Sequence, residues 1–558
     1  MQQNLLHTKD YIVFLIYFLI VAGYGIYIYN KKKKAVSDSK DFFLAEGSLT
    51  WWAIGASLIA SNISAEQMIG MSGSGFKMGL AISTYEWMAA ATLIIVAVFF
   101  LPIYLKNKIY TMPQFLEQRY GKTVATIMAV FWLLLYVVVN LTSILYLGAI
   151  ALNTVSGINF EVCMIALAFF AVVITLGGMK VIGFTDVIQV FFLILGGLAT
   201  TYLALGLVGQ QYNTTGVFNN FHLLMQQAPD HFHMILDKNN PNYLDLPGLS
   251  VLVGGMWIVN LNYWGCNQYI TQRALGADLK TARNGLLFAG FLKMLMPIIA
   301  VIPGIAAYVL YQKGMFHEGI GVGADQNPDH AYPVLLNLLP SGLKGLSFAA
   351  LTAAVVASLA GKANSISTIF SLDIYKKIYH TTDEKKIVVV GRITVVVAMI
   401  LAIIISPFLG IDKKGGFQFI QEYTGFVSPG IFAMFIMGFF WKRTNSGAAM
   451  FAMIGGFLLS IVMKVLPKFA DLSGLAASGW SKLNPDSGRF EIAFLDRMGI
   501  VFVVCIAGMI IISLMDPKSK NNPRGLEVDA QMFKPSTPFL VISLLIVGLL
   551  TALYTIFW

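Results

Sequence analysis

Leu58-Ile-Ala-Ser-Asn-Ile-Ser-Ala-Glu-Gln-Met-Ile-Gly70 sets Ser61, Asn62, Ser64, Glu66 and Gln67 inside a segment otherwise apolar enough to cross a bilayer. Hydrocarbon offers no hydrogen bonds, so a polar group at that depth is costly unless it faces a cavity, a partner or a ligand. A membrane helix broken by such a knot is the sequence pattern of a transporter's binding site.

The rest of the chain has the matching composition. Of 558 residues, 57% are hydrophobic and 12% charged, and the mean hydropathy is +0.72, far from the values of soluble domains. The net charge of +10 would suit a nucleic-acid binder. In a membrane protein its meaning depends on which loops carry it, and no nucleic-acid partner is expected. Cys163, Cys266 and Cys505 all lie in apolar segments, which speaks against a disulfide framework or a zinc cluster. No Gly-x4-Gly-Lys-Ser/Thr loop is present, which argues against an ATP-driven pump. The His231/His233 pair lacks the further ligands that a metal needs. Asn213-Thr-Thr215 matches a glycosylation acceptor pattern that is common by chance. Nothing in the chain points to an enzyme.

Apolar runs of about 18–25 residues suffice to cross ~30 Å of hydrocarbon. Eight are expected near 10–30, 51–71, 80–104, 124–152, 158–177, 183–208, 249–271 and 285–311. Six more lie near 343–370, 387–409, 417–440, 446–466, 498–515 and 537–557, giving fourteen transmembrane helices of an all-α protein. Basic residues gather on alternate loops: Lys31–Lys34 and Lys40; Lys106, Lys108, Arg119 and Lys122; Lys180; Arg273, Lys280 and Arg283. The series continues through Lys376, Lys377, Lys385, Lys386 and Arg392, then Lys442 and Arg443, then Lys518, Lys520, Arg524 and Lys534. The positive-inside rule then places both termini outside the cell (inner) membrane. Lys413, Lys414 and the lysines of loop 467–497 run against the pattern. The first apolar run reads as an anchor helix rather than a cleavable signal, because its basic cluster follows it.

An internal symmetry divides the chain. Segment 1–46 is an anchor helix and cytoplasmic loop, 47–208 a block of five spans, and 209–247 an outer loop. A second block of five occupies 248–440, and flanking helices fill 441–558. Five is odd, so the blocks enter the membrane from opposite sides, as in an inverted repeat. Each block opens on a span with embedded polar groups, at 58–70 and at Trp257-Ile-Val-Asn-Leu-Asn-Tyr-Trp-Gly-Cys-Asn-Gln268. The second spans carry Glu86 and Lys293 deep in apolar surroundings. Alone, these two read as an ion pair between helices, since an unpaired charge at the bilayer centre costs roughly 2.5–3.5 kcal/mol.

Several motifs resemble the sodium:solute symporter family, end to end: Asp41-Phe-Phe-Leu-Ala-Glu-Gly-Ser-Leu-Thr-Trp-Trp52, Gly177-Gly178 with Thr185-Asp186-Val-Ile-Gln189, and Asn267-Gln-Tyr-Ile-Thr-Gln-Arg273. Ser64-Ala-Glu-Gln67, Ser83-Thr-Tyr-Glu-Trp87, Tyr263-Trp-Gly265 and Phe417-Gln-Phe-Ile-Gln-Glu-Tyr-Thr-Gly425 are similar to its bacterial sodium/galactose and sodium/glucose branch. The resemblance implies a LeuT-like fold and alternating-access symport of a hexose driven by sodium, the co-transported ion. It implies sugar contacts from Asn62, Gln67, Glu86, Asn260, Lys293 and Gln421, with Tyr263 stacking on the ring. A pyranose needs this mixture of donors, acceptors and an aromatic plane. Met71, Tyr85 and Phe417 would form the outer lid, and Tyr263 with Trp264 the inner gate. The carbonyls of Ala60, Ile63 and Ala354 and the Ser358 hydroxyl would hold sodium, a hard cation that prefers oxygen. Asp186 would be a waypoint for the departing ion or part of a structural network.

Two departures from the family stand out. Ala89 replaces a serine of the galactose symporters, removing a contact of ~1 kcal/mol and bearing on which hexose epimer is preferred. Ala357-Ser358 replaces two adjacent serines, so one candidate sodium ligand is missing. Lys362, one helical turn beyond Ser358, reads either as snorkelling or linked to Asp186, or as an ammonium that weakens sodium binding or joins in proton coupling. The alternatives to a hexose symporter are an inositol or polyol symporter, or an uncoupled sugar sensor or channel on the same fold.

Overall fold

The computed structural model describes residues 6–31, 49–64, 66–323, 326–408, 416–485 and 487–558. Lys32–Lys34, Lys40, the 41–48 part of the first family motif, Ala65, Lys413 and Lys414 lie outside the described residues. Among those described, ten helices are long and apolar enough to cross a membrane. A pair bent by 51°, α14 (Gly416–Gly425) and α15 (Ser428–Phe440), forms an eleventh candidate.

The other expected spans depart from a long straight helix for local reasons. Helix α2 (Trp51–Asn62) stops where Ile63 turns extended, and a wide π turn over Glu66–Gly70 leads into α3 (Met71–Met78). Gly79, at φ 73°, then breaks the chain before α4 (Thr84–Ile95). In the second half, α9 (Gly255–Cys266) and α10 (Gln268–Leu275) are separated by extended Asn267. The two polar knots of the sequence are therefore two helix breaks.

Between these elements run α5 (Lys122–Leu134), α6 (Thr142–Ser156), α7 (Phe160–Leu176) and α8 (Gly178–Gln211). They are followed later by α11 (Leu279–Gln312), α12 (Leu343–Thr368) and α13 (Glu384–Ile405). The span containing α12 is 89% buried, whereas that of the last helix, Thr537–Ile556, is 22% buried and lies at the edge of the bundle. At the centre, α11 packs on α2, α3 and α4, and α12 packs on α2 and α8. Lipid tails are as apolar as leucine, so close backbone approach through small residues holds such helices together. Gly55 and Gly285 let α2 and α11 touch, since a Cβ on Gly55 would lie 2.8 Å from the Gly285 carbonyl. A Cβ on Gly304 would sit 2.0 Å from the Ser72 carbonyl.

Some basic loop residues turn out to be structural pins. The buried Arg119 guanidinium donates to the carbonyls of Gly438, Trp441, Lys442 and Thr444. Arg283 donates to those of Ala97, Met532 and Lys534. Carbonyls left free at helix ends attract such cations. At the opposite end, loop 467–497 contains a small antiparallel hairpin, Lys482–Asn484 with Arg489–Glu491.

Candidate functional site

Both helix breaks face a buried cluster. Lys293 on α11 donates to Glu86 Oε2 at 2.5 Å and also to Asn62 Oδ1. Gln67 Nε2, on the π turn, donates to Glu86 Oε1 at 2.9 Å. Asn62 Nδ2 donates to the Tyr263 hydroxyl at 2.9 Å, and that hydroxyl bonds the hydroxyl of Tyr269. The Lys293 ammonium lies 5.2 Å from the centre of the Trp264 ring. Glu86 and Lys293 are each 1% exposed, so their charges survive only because they compensate each other with good hydrogen-bond geometry. Six predicted residues, Asn62, Gln67, Glu86, Tyr263, Trp264 and Lys293, thus meet, from α2, the π turn, α4, α9 and α11. Asn260 lies apart from these bonds and donates to its own helix at Met256. Gln421, on α14, lines a small adjoining cavity with Tyr263, Glu66 and Lys362.

Above the π turn sits an aromatic cover. Tyr85 and Phe417 meet edge to face at 5.0 Å, and Met71 is buried. Gly70 allows this, because a Cβ there would lie 2.9 Å from the Phe417 backbone nitrogen. The start of α14 is held by Asp329, whose Oδ2 accepts from the Gly416 N–H at 2.7 Å. Sequence reasoning missed Asp329, since nothing local marks an acid in a Pro-Asp-His turn as a partner for a helix start 87 residues later.

At the end of α2, Ser358 Oγ on α12 donates to the Ser61 carbonyl at 3.1 Å. Ala60, Ile63, Ala354 and Ala357 are all buried, and α12 packs on α2 there. The Ser61 hydroxyl is buried without a hydrogen-bond partner. The helix break thus places the unpaired Ser61 hydroxyl near the Ser358 hydroxyl and the Ser61 carbonyl, oxygens of the chemistry a sodium ion takes.

Lys362 corrects one expectation. Its ammonium lies 3.8 Å from Glu66 Oε1 and 5.0 Å from the centre of the Tyr269 ring, rather than on Asp186. Asp186 is already engaged: Ser57 Oγ donates to it at 2.6 Å, and Arg273 lies 3.9 Å away. Arg273 Nε also donates to Ser57 Oγ, and its NH1 to the Tyr269 carbonyl. Asp186 therefore lies in a network joining α2, α8 and α10.

The architecture and the paired helix breaks define a multi-pass membrane transporter, not an enzyme. The sodium:solute symporter family matches residues 42–456. A sodium/glucose cotransporter of Vibrio parahaemolyticus is 45% identical over 558 residues, 98% of either chain. Human sodium/myo-inositol cotransporter 2 is 34% identical over 486 residues, 83% of this chain and 71% of that one. The structure of a Na+-coupled sialic acid symporter, in a substrate-bound outward-open state, aligns with a TM-score of 0.74 at 21% identity. The alignment covers 91% of this chain and 98% of that one, which establishes the LeuT-like fold. The chain belongs to the sodium:solute symporter family, and sodium is its co-transported ion.

Proposed function

We propose that this symporter carries a hexose, galactose or glucose, with sodium across the cell membrane by alternating access. The observation that carries this reading is the cluster of Glu86, Lys293, Asn62 and Gln67 beside the Tyr263 and Trp264 rings. A carboxylate accepts, an ammonium donates and two amides do both, which suits a ring of hydroxyls around an apolar face. These atoms now bond one another, so an entering sugar exchanges bonds within the cluster instead of stranding buried charges. In this reading Asn260 and Gln421 complete the contacts, and Tyr263 supports the ring with Trp264 behind it. Met71, Tyr85 and Phe417 close above. The 45% identity to a sodium/glucose cotransporter supports the same class of cargo.

Sodium binds at the carbonyls of Ala60, Ile63 and Ala354 and the Ser358 hydroxyl. One helix break then serves both cargoes. Filling its carbonyls fixes the end of α2, which sets Asn62 and Gln67 for the sugar. The helices form fourteen crossings with both termini outside, and 47–208 and 248–440 are the inverted repeats, between an anchor at 1–46, an outer loop at 209–247 and flanking helices at 441–558.

The similarity to the myo-inositol cotransporter favours a second reading, a cyclic polyol, because its hydroxyls would engage the same cluster. Uptake of labelled glucose into proteoliposomes, with galactose and myo-inositol as competitors, separates these cargoes. Competition by hexoses at tenfold lower concentration than inositol is expected; the reverse order makes the polyol the cargo. Sugar flux that equilibrates without accumulating would instead indicate a channel or sensor.

A further inference from the structure

We infer that the Glu66–Lys362 pair is a tuning element for sodium affinity, in which a resident ammonium opposes the transported ion and Glu66 restrains it. The inference rests on sodium coupling and on the proposed ion site, and not on which sugar is carried.

Lys362 lies one turn along α12 from Ser358, about 6 Å in rise on the same face. Glu66 lies three residues beyond Ile63, at the start of the π turn. The Lys362 side chain is 4% exposed and that of Glu66 13%, with 3.8 Å between the charges. Glu66 Oε1 has no hydrogen-bond partner, so the pair is held by charge alone on that oxygen. The other charges facing this region are already matched: Arg273 with Asp186, and Lys293 with Glu86. A Cβ on Gly361 would lie 2.6 Å from Arg273 NH2 and 3.1 Å from Ser61 Oγ, which shows how tightly these groups crowd the break. In so poorly screened a place, removing either member of the pair leaves a net charge that the sodium ion feels.

Glu66→Gln leaves the ammonium uncompensated and should weaken sodium binding about tenfold. Lys362→Met leaves the carboxylate uncompensated and should tighten it by a similar factor. The double variant, again neutral, should return to within about threefold of the parent. A pair that served only packing would weaken binding in every variant.

Sodium-22 binding to the purified full-length protein, without sugar, reads these shifts independently of the cargo. Opposite shifts with recovery in the double variant support the inference; shifts of the same sign, or none, overturn it. If Glu66→Gln does not fold, Lys362→Arg and Lys362→Met decide. The arginine variant should stay within about threefold of the parent while the methionine variant binds more tightly, and equal affinities overturn the inference. Retained sodium sensitivity with loss of glucose uptake would count against the hexose reading alone.

Discussion

Glu86 and Lys293 sit opposite each other buried inside apolar helices, and each also bonds an amide side chain of the first helix break. Removing one member of a buried pair costs about 3–5 kcal/mol, because the other is left uncompensated. Glu86→Gln and Lys293→Met should therefore each lower thermal stability in detergent by that amount. The combined variant should regain most of the stability and none of the uptake. Recovery of uptake in it would assign the pair to structure alone. Both residues are legible in the sequence, because a charge inside an apolar span stands out. Their pairing with Asn62 and Gln67 follows from the breaks, which the polar knots also mark. The partner of Lys362 is not legible. Asp186 and Glu66 are equally available on paper, and the Ser57 and Arg273 contacts decide between them.

The helix α3 ends at Gly79 against the outer loop, where a Cβ would lie 2.3 Å from the His231 carbonyl. The His231 ring stacks on Tyr308 at 4.0 Å, and its Nε2 meets the Phe76 carbonyl at 3.1 Å. Burial holds this imidazole below its ordinary value of 6.5. A depressed value means the folded state favours the neutral ring, so the contribution is present above pH 6.5 and is lost as pH falls through the folded value. Unfolding temperature should drop on acidification from pH 7 to pH 5, and His231→Gln should flatten that part of the profile. An unchanged slope would remove His231 as its source. The sequence offered His231 only as half of a weak metal motif. Its packing role depends on the loop folding back 155 residues onto Phe76.

Across the whole molecule, coupling is a matter of charge moved. One charge crossing 100 mV yields about 2.3 kcal/mol, and a tenfold sodium gradient adds about 1.4 kcal/mol. With one ion per sugar, these support several-hundred-fold accumulation. Clamping the potential to zero at a constant sodium gradient should cut the accumulated ratio about fifty-fold. Accumulation insensitive to potential would contradict net movement of charge.

Much of this architecture is written in one dimension. Hydrocarbon forces long apolar runs, and the cost of embedded polarity marks helix breaks and charged sites, so many of the apolar helices, the two knots and the buried charges of Glu86 and Lys293 can be read directly, while Tyr263 enters through the family resemblance. Only tertiary structure decides how that polarity is shared. It leaves Asn260 on its own helix, moves Gln421 to an adjoining cavity, and gives Asp186 to Arg273 and Lys362 to Glu66. The reason is geometric. A charge partner depends on the rotation and offset of helices hundreds of residues apart, set by contacts such as Gly55 on Gly285 and Gly304 on Ser72. Residue spacing within a single span carries no record of those offsets.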